Sequence, residues 1–260
     1  MKINSVFTFR EYLSLELGHR LVRSRSADQY LVSYPRSGNT WMRTMLSVLV
    51  NPAAEGNPDF TRQNILGISI SNAKKINAHN SPRLIKSHTW FRKDISRAVY
   101  LVRDGRDVLI SLYHYYITRN MKDLTFSDFY KDYMNGRYGQ LWHQNVESWL
   151  INGRELLGDN LLVLTFEELK ADTPQTLTRA AEFLDLPAGS FEVEKALEAS
   201  DINRMRKIEI QRRGPIENIN ASFYRGGKTG EWVSYFEPTI EKKFMESAGN
   251  ALKLAGYLQE

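Results

Sequence analysis

The chain has 260 residues, 42% of them hydrophobic, enough to bury one sizeable core, so a single domain over residues 1–260 is expected. The 35 basic and 30 acidic residues leave a net charge of +5, which suits an anionic ligand; the charges are interspersed rather than blocked, which argues against a nucleic-acid partner. Cysteine is absent, excluding disulfides, thiolate metal sites and a cysteine nucleophile, and the first ten residues carry no long apolar run, so no signal peptide or membrane anchor is expected and the default location is cytoplasmic.

Four short apolar runs read as buried strands, at about 29–34, 83–87, 97–102 and 161–166. The first contains Tyr30, Leu31 and Val32 and ends at Pro35. The polar loop Arg36-Ser37-Gly38-Asn39-Thr40 follows, and Trp41, Met42, Met45, Leu46, Val48 and Leu49 predict a helix over 41–50. Residues 51–80 are polar and irregular and read as a loop or lid. The second strand runs into Lys86-Ser87-His88, and the third ends at Arg103. A helix at about 106–118 follows, with Asp104 as a plausible N-cap. Residues 119–138 form a second irregular stretch, and Leu141, Val146, Trp149 and Leu150 mark a helix at about 140–153.

Thr165 and Glu168 have capping-box spacing at the end of the fourth strand. Thr173-Pro174 reads as an N-cap followed by proline at the first helical position, with Leu177, Ala180, Ala181 and Leu184 as the apolar face. Residues 206–231 are basic and glycine-rich and read as a loop. Strands alternating with helices predict an α/β fold, a three-layer α/β/α arrangement about a mainly parallel sheet. Ligands in such folds sit beyond the carboxyl ends of the strands, and Arg36, His88 and Arg103 each lie just past one.

A strand delivering a short polar loop onto a helix N-terminus builds an anion site from unpaired backbone N–H groups and the helix dipole. The loop at 35–40 has one glycine and lacks the Walker A spacing, so it does not match a kinase loop for ATP and magnesium. Three further motifs stand out. Val102–Ser111 carries Arg103 and, about two helical turns on, Ser111. Lys86-Ser87-His88 puts a histidine at a strand end, whereas His19, His79, His114 and His143 have no such context. Phe223–Trp232 combines Arg225 and Lys228 with glycines that allow close backbone approach. Each alone is equally an ordinary turn, a capped helix or a basic loop. A nucleotide kinase and a non-catalytic polyanion-binding protein are the competing functions.

Taken together, Tyr34–Trp41, Lys86-Ser87-His88, Arg103 with Ser111, and Arg225-Gly226-Gly227 with Gly230 and Trp232 resemble the PAPS-dependent sulfotransferases of the cytosolic type, over about residues 30–235. The resemblance implies that the P-loop-like segment Arg36, Ser37, Gly38, Asn39, Thr40 and Trp41 cradles the 5′-phosphosulfate of 3′-phosphoadenylyl sulfate (PAPS), with Trp41 near the adenine. It implies that Arg103, Ser111, Arg225, Gly226 and Gly227 bind the 3′-phosphate, and that Phe166 and Ser200 lie on the adenine side. His88 is then the general base, and Arg36 and Lys86 stabilise the departing charge without a metal.

The product nucleotide is PAP, and the acceptor is a hydroxyl, phenol or amine of a small molecule. Arg36 stands where the family often has lysine, Phe166 where tyrosine is frequent, Ile202 where phenylalanine is common and Gly226 where lysine is frequent. The acceptor pocket is expected from 61–80, 90–92, 113–145 and 207–222, whose Trp90, Phe91, Tyr113, Tyr115, Tyr116 and Trp142 suit a flat or apolar molecule.

Overall fold

A computed structural model describes residues 9–54, 57–118, 123–213, 222 and 224–259. In chain order, α1 (Phe9–Leu21) precedes β1 (Gln29–Ser33) and α2 (Asn39–Val50). Then come α3 (Pro58–Asn64), α4 (Ile70–Ala78), β2 (Leu84–Ser87), β3 (Ala98–Val102) and α5 (Gly105–Ile117). They are followed by α6 (Phe126–Met134), α7 (Trp142–Glu147), a π-helical stretch Ser148–Gly153, α8 (Arg154–Leu157) and β4 (Leu161–Thr165). The chain continues through α9 (Phe166–Ala171), α10 (Thr173–Phe183), α11 (Ser190–Ala199), α12 (Ile202–Arg213) and α13 (Pro238–Leu254).

The four strands lie in the order β2-β1-β3-β4, and every pairing is parallel. Alternate strand residues face opposite layers, as the period of two requires. Leu31, Val99, Leu101 and Leu164 pack with Met42, Met45, Leu46, Leu177 and Ala181 from α2 and α10. Tyr30, Val32, Tyr100 and Val102 pack with Val108, Leu109, Trp142, Trp149, Phe244 and Ala248 on the other side. Both sheet faces are therefore covered, which is why the strands read as continuous apolar runs. Because all four strands run the same way, their carboxyl ends carry the loops at 34–38, 88–89 and 103–104 and the start of α9 at Phe166 to one edge.

Several expected loops are helical. Residues 51–80 contain α3 and α4; Ser69 caps α4 by accepting from the Asn72 N–H, and Ala73 and Ile76 are buried. In the stretch 119–138, residues 119–122 lie outside the described residues, and α6 is capped by Thr125. Its buried face is Phe126, Phe129, Tyr130 and Tyr133, a helical spacing carried by aromatic rather than aliphatic residues. The expected helix at 140–153 divides into α7 and the π-helical stretch. Asp172, not Thr173, caps α10: its side chain accepts from the Gln175 N–H, while the Thr173 hydroxyl donates back to the Leu169 carbonyl. Asp104 caps α5, and the Thr165–Glu168 capping box forms as the spacing predicts.

Of the expected loop at 206–231, residues 206–213 belong to α12, and 214–221 and 223 lie outside the described residues. Residues 224–230 are irregular and lead into a single 3-10 turn, Glu231–Ser234.

Candidate active site

A cavity of about 680 Å³ opens at the carboxyl edge of the sheet. Its wall includes Arg36, Gly38, Asn39, Thr40, Trp41, His88, Arg103, Ser111, Phe166, Ser200, Arg225, Gly226 and Gly227. Two of the expected residues are placed elsewhere. Ser37 is fully buried beneath the loop. Lys86 lies off the cavity wall, pairing with Leu31 in the sheet, with its stem against Gly67.

The loop between β1 and α2 turns through two left-handed residues, Arg36 at φ +71° and Gly38 at φ +91°. For Arg36 this costs about 1–2 kcal/mol, so the surroundings must hold it. Arg103 Nη1 donates to the Arg36 carbonyl at 3.2 Å, and Arg36 Nε donates to Ser111 Oγ at 3.0 Å. The Arg36 guanidinium also lies over the Tyr115 ring, 5.1 Å from its centroid. Arg103 reaches across to the Lys228 carbonyl at 2.7 Å and lies 4.6 Å over the Phe166 ring. Phe166 is wedged between two glycines: a Cβ on Gly38 would stand 2.6 Å from its ring, and one on Gly227 2.5 Å. Trp41 meets the same ring edge-on at 6.3 Å.

The glycine loop is tied to α5 by Asp107, which accepts from the N–H groups of Gly230 at 2.7 Å and Trp232 at 3.1 Å. Burial raises the Asp107 pKa, while the Arg103 charge opposes that shift. Burial also pushes the Arg103 pKa down, countered by Asp107 and Glu167. Arg225 pairs with Glu231 across the mouth of the loop. Ser37 Oγ, both amide atoms of Asn39, Arg103 Nε and Arg225 Nε are buried without a hydrogen-bond partner among the described residues. Buried polar atoms are seldom left so, and this set around a helix N-terminus and two arginines fits a multiply charged phosphate-type ligand.

His88 Nδ1–H donates to the Ser33 carbonyl at 2.7 Å, which leaves the lone pair on Nε2. Burial, and then the Lys86 charge, hold its pKa well below the usual histidine value; the Ser33 contact opposes this and Arg43 adds to it. The imidazole is therefore neutral at pH 7. Its backbone is anchored from behind. The His88 carbonyl accepts from Gln140 Nε2, and the Thr89 carbonyl from Asn145 Nδ2 at 3.1 Å and Trp149 Nε1 at 2.9 Å.

Sequence reasoning missed Gln140 and Asn145 in this role, and also Lys170, Arg206 and Glu231, which line the cavity or pair within it. On α12, Ile202, Met205 and Arg206 line the cavity at helical spacing, and Asp201 Oδ1 accepts from the N–H groups of Asn203 and Arg204 as a capping residue would. His114 packs, donating or accepting at Tyr235 Oη at 2.8 Å. Of the six aromatics expected around the acceptor, Tyr115 lines the cavity; Tyr116 and Trp142 are buried in the core, and Phe91 and Tyr113 pack against it. Trp90 packs edge-on against Tyr12. Among the described residues, no group of three or more His, Asp or Glu side chains is placed to hold a metal.

A parallel sheet that brings a polar loop at a helix N-terminus and a neutral histidine to one cavity has the parts of a group-transfer enzyme that takes an anionic donor. A sulfotransferase-domain family model matches residues 26–256, and the chain belongs to that family. Sulfotransferase 2B1 from Homo sapiens is 28% identical over 254 residues, covering 89% of this chain and 67% of that protein. Sulfotransferase 1B1 from Mus musculus is 25% identical over 250 residues, covering 85% and 81% respectively. The crystal structure of mouse sulfotransferase SULT7A1 complexed with PAP superposes with a TM-score of 0.72 at 22% identity, covering 99% of this chain and 98% of that one. A retinol dehydratase in a complex with retinol and PAP gives 0.69 at 20% identity, covering 89% and 83%. The protein is thus a PAPS-dependent sulfotransferase. No helix among the described residues is long and apolar enough to cross a membrane.

Proposed function

We propose that the chain acts as one domain in which His88 is the general base for sulfuryl transfer from PAPS to a hydroxyl, phenol or amine. The observation that carries this is the His88 ring itself, a neutral imidazole whose Nδ1 is committed to the Ser33 carbonyl, on the wall of a cavity shared with Arg36. Its Nε2 is the atom that takes the acceptor proton as the acceptor attacks. The donor supplies an electrophilic sulfur and a phosphate leaving group. Gly38, Asn39 and Thr40 hold its 5′ end at the N-terminus of α2, with Trp41 near the adenine. Arg36 remains charged throughout and stabilises the leaving oxygen electrostatically. Arg103, Ser111 and the Arg225-Gly226-Gly227 loop hold the 3′-phosphate, with Phe166 and Ser200 on the adenine side. Lys86 lies off the cavity wall, and its charge both lowers the His88 pKa and adds to the positive field in which leaving charge develops.

Leu112 and Tyr115 on the cavity wall suit an apolar or aromatic acceptor body. A cytoplasmic location is supported by the 25% identity over 276 residues to cytosolic sulfotransferase 10 of Arabidopsis thaliana. Neither a nucleic acid nor a membrane has a part in this scheme. Thermal unfolding with added nucleotides tests the donor assignment. PAP raises the midpoint, and ATP with magnesium does not. Stabilisation by ATP with magnesium or by DNA alone would overturn it.

A further inference from the structure

The loop at 224–230 is held by cations from three separate elements. Arg206 of α12 donates from Nε to the Tyr224 carbonyl at 2.8 Å and from Nη2 to the Arg225 carbonyl at 3.1 Å. Lys170 of α9 donates to the Gly227 carbonyl at 2.6 Å, and Arg103 to the Lys228 carbonyl at 2.7 Å. The carbonyls of 224, 225, 227 and 228 thus end on positive charge, while the N–H groups of 225–229 bond to no described residue. A run of N–H groups with no acceptor among the described residues, passing through Gly226 and Gly227 (φ +116° and +57°), suits an anion.

Arg206 does more than fasten this loop. A Cβ built on Gly226 would stand 3.4 Å from Arg206 Nη2, so the guanidinium occupies the space beside a glycine that has no side chain of its own. Arg206 also lines the cavity. Arg225 is paired with Glu231, whereas Arg206 forms no ion pair with any described carboxylate. Its charge is held in place by neutral carbonyls and is not cancelled by any described carboxylate.

We propose that Arg206 is a recognition residue for the 3′-phosphate of the donor: it fixes the Arg225–Gly227 backbone for that phosphate and adds a positive charge beside Gly226. This rests on the assignment of the 224–230 loop to the 3′-phosphate. A planar guanidinium serves both tasks, because Nε and Nη2 fasten the carbonyls in one plane while the charge spreads over the whole group.

The test compares PAP with adenosine 5′-phosphate, which lacks the 3′-phosphate, by titration calorimetry on the wild-type protein, Arg206→Met and Arg206→Lys. Wild-type protein binds PAP the more tightly. Arg206→Met lowers PAP affinity roughly 10-fold to 100-fold and leaves adenosine 5′-phosphate within about twofold. Arg206→Lys keeps the charge but loses the fork, falls between the two, and remains informative if the methionine variant does not fold. Variants that bind both nucleotides like the wild type, or lose both equally, overturn the role of Arg206. A wild-type protein that binds PAP no better than adenosine 5′-phosphate overturns the phosphate assignment, and this proposal with it.

Discussion

Replacing Gly38 with alanine drives a methyl group against the Phe166 ring at the cavity wall. The new Cβ would stand 2.6 Å from Phe166 Cδ2, 3.1 Å from Cε2 and 3.4 Å from Leu101 Cδ2. The φ of +91° adds a backbone cost, about 1–2 kcal/mol for an L residue. Overpacking of a filled core adds about 1–3 kcal/mol. Phe166 cannot swing aside freely, because Gly227 closes on its other edge and Arg103 covers its face at 4.6 Å. The sum is about 2–5 kcal/mol of lost stability. Urea unfolding of Gly38→Ala, Phe166→Ala and the double variant separates the two contributions. Without the Phe166 ring, Gly38→Ala should cost only its backbone part, leaving a coupling of about 1–3 kcal/mol. PAP affinity should fall as well, because a displaced ring carries Arg103 with it. A single variant within about 0.5 kcal/mol of wild type, or an equal cost with and without Phe166, would refute this reasoning.

The ion pair of Arg83 with Asp28 is almost wholly buried, its side chains 3% and 0% exposed. Asp28→Ala strands the Arg83 charge and should cost about 3–5 kcal/mol in urea unfolding; stability like the wild type would contradict this. The acid sensitivity follows from buried histidines. Burial lowers His19 and His114 to about 4, while the unfolded chain protonates near 6.5. The unfolded state therefore binds protons that the native state refuses, so this stability is complete above 6.5 and is lost as pH falls towards 4. The slope is about 1.4 kcal/mol per pH unit for each histidine, so the pair loses roughly 2–3 kcal/mol between pH 7.5 and 5.5. Asp107 and Glu167, whose pKa values are raised, act in the opposite direction at the acid end. Unfolding at the two pH values checks the sign; equal or greater stability at pH 5.5 would contradict it.

The strands and the three polar positions past their ends were legible because a doubly covered parallel sheet leaves uninterrupted apolar runs, and the turns after them carry charge. The helix α6 was not, because its buried face is Phe and Tyr among acidic and basic residues, which reads as polar. The helix α12 hides for a different reason. Its contacts are largely polar: the Asp201 cap, Arg206 on two carbonyls, and Glu209 accepting from Ser222 Oγ at 2.8 Å. An apolar stripe is not needed where hydrogen bonds to a loop hold the helix, so hydrophobic periodicity gives no warning. Within the site, Arg36, His88 and Arg103 were readable from their strand-end positions. Gln140, Lys170 and Arg206 were not, because each matters only through a carbonyl far away in sequence. Lys86 was readable as a cation near His88, but it pairs with Leu31 in the sheet with its stem against Gly67 and does not reach the cavity wall.

The most direct measurement is sulfate transfer from labelled PAPS to a panel of phenols, alcohols and amines by the wild-type protein and by His88→Ala, with PAP binding measured on both. The wild-type protein should transfer sulfate to at least one acceptor at a rate that is flat between pH 7 and 8, because His88 is already neutral there. His88→Ala should lose about 100-fold or more of that rate and bind PAP as the wild type does. Turnover by His88→Ala at the wild-type rate, or a loss of PAP binding that matches the loss of turnover, would contradict His88 as the base.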